Sequence, residues 1–292
     1  MDDLRLLTVI AGGAWLAGCV LLGVLSLLPN TRSRVKELWP LMVSEAAILG
    51  AGTLLWLLPH SLLVVPLLLA AARFGFESGK VNGGQDSSFA GAITALSLAL
   101  AAMLVWITSS TLMLFFLFLG MLTGIVIGFS MSSKPLSRLF RTLLFPTLPF
   151  LLFVLAATKP DTGTVFILSL LIVEVFDSFA LLGGKLFGRH LMVPKLSPKK
   201  TWEGFGVGLA AALLAGAALS MMTILPAPTV MAIALVSTIA AVAGDLLASA
   251  AKRRAGVKDY PALLRSQGGL LDIYDAWIVA APAAVFTVLV LG

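Results

Sequence analysis

Carboxylates set into apolar sequence are the groups in this chain best placed to do chemistry. Asp245, Ser249 and Lys252 stand at i, i+4 and i+7, which puts them on one face of any helix that carries them. Asp272 and Asp275, at i and i+3, share a face at the start of the final apolar run. Between these pairs the stretch 244–275 carries Lys252, Arg253, Arg254, Lys258 and Arg265 together with Gly268 and Gly269. Magnesium binds oxygen, usually one or two carboxylates, and completes its shell with water and substrate phosphates. Two acids on separate helices beside a basic loop, Asp245 and Asp272, are therefore candidates for a magnesium and phosphate site, and each can equally be a helix-end acid that reaches water.

A second polar stretch, 183–203, places Ser197, Lys199, Lys200 and Thr201 in a compact group of donors. Such a group can bind a polyanion, and it can equally be a solvated basic face that orients the chain in a membrane. His190 lies among these residues with a structural or a catalytic role open to it, and His60 lies away from them, at an outer turn. Glu45, Glu174 and Asp177 are further acids in apolar runs. Each charge near a helix centre costs about 2.5–3.5 kcal/mol, so three or four unpaired ones cost roughly 10 kcal/mol. Basic partners, protonation, a wet cavity or a bound cation must offset that, although Glu45 is close enough to a helix end to reach water.

The elements that hold these groups are membrane helices. Of 292 residues 59% are hydrophobic and 12% charged, far from a soluble domain. Apolar runs fall at about 6–28, 39–58, 61–72, 89–108, 110–131, 143–158, 163–182, 204–225, 228–251 and 271–291. A bilayer core needs about 20 apolar residues per helix, and backbone groups in lipid must be satisfied internally. The expected fold is an all-α polytopic integral membrane protein of nine or ten transmembrane helices, nine if the runs around Thr108–Thr111 are one. With ten, every lysine and arginine except Arg5 and Lys159 falls on one side, the cytoplasmic one by the positive-inside rule. The net charge of +6 then reflects loops facing anionic headgroups, with no nucleic-acid partner implied. The first run, lacking a basic leader, is expected to be retained as a helix. The lone Cys19 sits mid-run and implies no disulfide. The stretch 73–88, with Gly75, Gly79, Gly83 and Gly84, is expected to be a flexible connection. Residues 1–160 form N-terminal membrane helices in this scheme, and 161–292 a C-terminal catalytic region with two cytoplasmic polar loops.

The two polar stretches together resemble the phosphatidate cytidylyltransferase, or CDP-diacylglycerol synthase, family. Its signature looks like S-x-x-K-R, four residues, K-D, and seven residues to H-G-G-x-x-D-R-x-D. Ser249, Lys252, Arg253, Lys258, Asp259, Gly268, Gly269, Asp272 and Asp275 match with the spacing kept. Upstream, Asp177-Ser178, Gly184 to Gly188 and Ser197 to Gly204 are similarly close. The resemblance covers about 174–290. Gln267 replaces the family's histidine and Ile273 its arginine, which removes a proton-exchanging group and a charged partner, while Arg265 brings positive charge nearby.

The resemblance implies CMP transfer from CTP to a lipid phosphate, phosphatidic acid foremost, giving CDP-diacylglycerol and pyrophosphate. Asp245 and Asp272 would hold magnesium, with a second cation as an open alternative. Lys252, Lys258, Arg253, Lys199 and Lys200 would balance the triphosphate, and Ser197, Thr201 and Ser249 would donate hydrogen bonds to it. Gln267, Gly268 and Gly269 belong to the substrate loop, and Asp177, Asp259 and Asp275 are supporting acids. The expected setting is a bacterial inner membrane, with a homodimer through membrane helices plausible. Three alternatives stay open: an enzyme for another lipid phosphate, an inactive nucleotide-binding relative, and an ion-coupled transporter whose intramembrane acids relay cations.

Overall fold

A computed structural model describes residues 3, 5–10, 12–13, 50–53, 55–82, 87–109, 142–159, 161–263 and 268–291. Two helices, α1 (Val64–Asn82) and α2 (Ser87–Thr108), form an antiparallel pair. The expected flexible stretch after residue 72 is corrected here: α1 runs through it to Asn82. Its glycines serve contact rather than flexibility. Gly75 and Gly79 form a G-x-x-x-G pair, and a Cβ on Gly75 would lie 2.7 Å from the Ala95 Cα of α2. In a bilayer, where helix association relies on close packing, small residues at this spacing let two backbones approach. Arg73 and Lys80, expected in a loop, are thus helical. The third apolar run, short as an isolated stretch, becomes long enough to span a membrane.

A short apolar helix α3 (Leu148–Ala157) lies at the centre, every residue buried except Leu152. The helix α4 (Gly163–Phe187) follows it. Next comes an element the all-helical expectation did not include, an antiparallel ribbon of β1 (Leu191–Val193) and β2 (Ser197–Thr201), pairing Leu191 with Thr201 and Val193 with Ser197. The Thr201 side chain then accepts from the Gly204 N–H (3.1 Å) and caps α5 (Trp202–Ser220). The long α6 (Ala227–Arg254) opens beside Pro226 and closes on Lys252, Arg253 and Arg254, cations that suit a helix C-terminus. The chain ends in α7 (Leu270–Tyr274) and α8 (Trp277–Leu291).

Aromatic side chains lock the centre. Phe153 of α3 meets Phe166 of α4 edge-on at 4.8 Å and Trp277 of α8 at 5.0 Å. Outward, Leu69, Leu96 and Leu214 are more than 60% exposed, an apolar exterior suited to lipid. Among the described residues six stretches are long and apolar enough to cross a membrane: α1 with its leading turn, α2, α4, α5, α6, and α7 with α8. The protein is an integral membrane protein built from helices. The α2 helix stops at Thr108, where the polar break was noted. The run 110–131, most of 39–58 and Glu45 lie outside the described residues.

Candidate active site

The two polar stretches of the C-terminal half meet on one cavity of about 280 Å³. The ribbon contributes Ser197, Lys199, Lys200 and Thr201, α4 contributes Asp177, α6 contributes Asp245, and Asp275 follows α7. Phe176, Leu181, Met192 and Phe205 form its apolar wall. Charged groups thus share a space with an apolar surface.

The helical face expected on α6 is present. Ser249 Oγ donates to Asp245 Oδ1 at 3.3 Å, and the Lys200 ammonium of β2 pairs with the other Asp245 oxygen. One turn further, Lys252 is 9% exposed and its Nζ lies 2.6 Å from Asp272 Oδ1 and 3.9 Å from Asp275 Oδ2. Lys252 also lies 5.6 Å over the Tyr260 ring. Three of the acids in apolar sequence therefore have basic partners: Lys200 for Asp245, and Lys252 for Asp272 and, more distantly, for Asp275. That pairing offsets much of the cost of placing them there.

Asp272 has a second task. Its Oδ2 accepts from the Tyr260 N–H at 2.7 Å and the Gly269 N–H at 2.9 Å, so one carboxylate ties both ends of the loop to Lys252. Gly268 sits at φ +83°, a conformation that suits glycine, and donor and acceptor close the loop where Leu263 N–H meets the Gly268 carbonyl at 2.7 Å. Burial, with the Asp272, Asp275 and Glu77 carboxylates nearby, pushes the Tyr260 phenol far above its ordinary range, and it remains neutral.

Other expected site residues lie elsewhere. Arg253, Lys258 and Asp259 are exposed and do not line the cavity, and Arg253 Nη1 donates to the Val257 carbonyl at 3.2 Å. Gln267 and Arg265 lie outside the described residues. His190 is on the ribbon's exposed edge, its Nδ1 2.5 Å from Glu203 Oε1. His60 stacks on Trp106 at 5.0 Å, remote from the cavity. Asp272, expected to share a cation with Asp245, is turned to Lys252 and the loop, and Asp275 faces the cavity instead.

For magnesium the donor set fits in kind. Asp177, Asp245 and Asp275 bring carboxylates from separate elements to one cavity. Among the described residues no three His, Cys, Asp or Glu side chains close around a single point, so an ion here would draw further ligands from water and phosphate, as magnesium does.

One pair in the site region was missed. Glu77 of α1 is fully buried, and its carboxylate accepts from the Leu270 and Leu271 N–H groups, both at 2.8 Å, and from Arg73 Nε at 2.6 Å. Arg73 Nη2 also donates to the Pro261 carbonyl at 2.9 Å. The i, i+4 spacing of Arg73 and Glu77 is visible in the sequence, but the glycines around it give the stretch the composition of a loop. Its backbone partners, almost 200 residues away, leave no mark in a side-chain pattern.

The model of the cytidylyltransferase family matches residues 41–291. The chain belongs to the cytidylyltransferase family. Within it, a phosphatidate cytidylyltransferase of Rickettsia typhi is 28% identical over 198 residues, 65% of this chain and 86% of that one. The chloroplastic phosphatidate cytidylyltransferase 5 of Arabidopsis thaliana is 42% identical over 110 residues, 37% of this chain but only 27% of the plant protein. The Bacillus subtilis phosphatidate cytidylyltransferase is 36% identical over 112 residues, 38% of this chain and 42% of that relative. In this cytidylyltransferase-family chain, a Cβ on Gly269 would lie 2.6 Å from Glu77 Oε2 and 2.8 Å from Tyr260 Cβ. Gly269→Ala is therefore expected to destabilise the protein by about 1–3 kcal/mol, read as a lowered melting temperature in detergent micelles.

Proposed function

We propose that the protein transfers CMP from CTP to the phosphate of a membrane lipid, phosphatidic acid foremost, giving CDP-diacylglycerol and pyrophosphate. The observation that carries this is the single cavity in which Lys199, Lys200, Ser197 and Thr201 face Asp245 and Asp275 beside an apolar wall. The relatives' names point to the same substrate. An oxygen of the lipid phosphate forms a new bond to the α-phosphorus of CTP, the bond from that phosphorus to the bridging oxygen breaks, and pyrophosphate leaves with the electron pair. The nucleophile is already an anion, so charge neutralisation and in-line positioning outweigh a strong base.

Lys199 and Lys200 would bind the triphosphate, with Ser197 and Thr201 donating hydrogen bonds. Lys252 would balance the acids from behind the cavity. Asp245 and Asp275, the acids that face the cavity, would hold magnesium, and a second cation if one is used, while Asp272 would fix Lys252 behind them. When bound, magnesium would neutralise charge on the nucleotide phosphates. Lys258 and Arg253, exposed cations, would attract the anionic nucleotide, with Asp259 a supporting acid beside them. The loops would face the cytoplasm, at a bacterial inner membrane, where a soluble nucleotide and a lipid headgroup can both arrive. A homodimer joined through apolar helix faces belongs to the same proposal.

Purified protein supplied with CTP, magnesium and phosphatidic acid is expected to release pyrophosphate and form a CDP-lipid. No product from any of a panel of phospholipid and isoprenoid phosphates, while a known synthase works alongside, would reject the proposal. Nucleotide binding without turnover would select an inactive relative instead.

A further inference from the structure

The Arg73–Glu77 pair lies outside the cavity, yet both side chains hold the chain that carries two of the active-site acids. Glu77 is fully buried, a setting in which a carboxylate must have all its partners close. It has three: Leu270 N–H, Leu271 N–H and Arg73. Leu270 opens the final apolar helical stretch, so this carboxylate caps a helix from another element, satisfying amides that have no partner within the helix. Arg73, held in turn by Glu77, grips the Pro261 carbonyl. Two side chains one turn apart on α1 therefore hold the chain before and after the loop that separates Pro261 from Leu270.

Asp272 and Asp275 follow these anchors by one and four residues beyond Leu271. Asp272 ties back to Tyr260 and Gly269, the immediate neighbours of Pro261 and Leu270. A shift of the helix start would carry both acids relative to Lys252 on α6 and relative to the cavity. The exclusion of any side chain at Gly269 by Glu77 and Tyr260 leaves little room for another arrangement.

We infer that Arg73 and Glu77 are positioning residues for the active site, setting from the N-terminal half of the chain where Asp272 and Asp275 stand. The kinetic consequence rests on the transferase proposal, whereas the structural consequence does not. Glu77→Gln keeps the shape but can accept through one oxygen only, so one of the two Leu amides faces an amide NH₂. Arg73→Lys can reach Glu77 or the Pro261 carbonyl but lacks the planar fork to hold both.

The test joins two measurements on wild type, Glu77→Gln and Arg73→Lys in lipid nanodiscs. The first is amide hydrogen exchange, and the second is turnover with CTP and phosphatidic acid. Both variants are expected to speed exchange in peptides covering 260–275 while α5 and the first half of α6 keep wild-type protection. For Glu77→Gln, kcat is expected to fall about 10- to 100-fold, as small displacements of reacting groups do, with KM for CTP little changed because Lys199 and Lys200 are untouched. If Glu77→Gln does not yield folded protein, the milder Arg73→Lys carries the test, with faster exchange and a smaller loss of kcat. Wild-type exchange across 260–275 in a folded variant overturns the inference. So does faster exchange with unchanged kcat, and so does a fall in kcat accompanied by loss of protection throughout the protein. If wild type itself makes no CDP-lipid, the transferase proposal fails, and the exchange data alone decide whether the pair positions the loop.

Discussion

Asp272→Asn is expected to lower CDP-lipid formation about 100- to 1,000-fold, the scale on which loss of one preorganised charged group acts. Its effect on stability should be separable. Asp272 offers Oδ1 to Lys252 and Oδ2 to the amides of Tyr260 and Gly269, so every direction around the carboxylate meets a donor. Asparagine has one acceptor oxygen and turns an NH₂ toward either an ammonium or two amide hydrogens. Either way a buried donor is left facing a donor. Breaking a buried pair costs about 3–5 kcal/mol, and the low end is expected because Asp275 remains 3.9 Å from Lys252. Thermal unfolding in detergent checks the stability, and a radiolabelled CDP-lipid assay the rate. Removing both partners in Asp272→Asn with Lys252→Met is expected to restore part of the stability and none of the activity, since the unpaired cation is gone but the acid is still missing. Near-normal turnover in Asp272→Asn would take this residue out of the catalytic reading.

The contrast between Asp272 and Glu77 shows where sequence reading reaches and where it stops. The α6 face of Asp245, Ser249 and Lys252 was legible because a 3.6-residue period acts within one helix, and the structure keeps it in the Ser249–Asp245 hydrogen bond. Convergence of the two polar stretches was legible only through the family resemblance, which takes both into one pattern. The division of labour between Asp272 and Asp275 was not. Their i, i+3 spacing places both near Lys252, but which one turns to the loop is decided by the backbone amides of Tyr260 and Gly269. The ribbon was hidden for a similar reason, because two short strands with mixed exposure show no alternation. In α1, Gly75 and Gly79 give a helix the composition of a loop. Glycine signals a turn in soluble sequence and a helix contact in a membrane, and only the partner helix at Ala95 tells them apart.

Asp245 and Lys200 offer the second large effect, and one whose signs oppose each other. They pair directly with each other, with side chains 25% and 30% exposed. A triphosphate that draws Lys200 away from Asp245 leaves that acid in need of another cation, which is the role magnesium would fill. Asp245→Asn is therefore expected to cut turnover about 100- to 1,000-fold. The same change releases Lys200, so CTP binding measured without magnesium by equilibrium dialysis should become tighter than in wild type. Lys200→Ala removes a charge-assisted hydrogen bond to phosphate, worth about 1.5–3 kcal/mol, and should weaken the same binding about 10-fold or more. If Asp245 held no cation and only anchored Lys200, the two variants would weaken nucleotide binding together, and supplying magnesium would leave that pattern unchanged. Opposite movement of the two binding constants without magnesium, with turnover lost in Asp245→Asn when magnesium is present, is the outcome that the exchange of Lys200 for a metal ion requires.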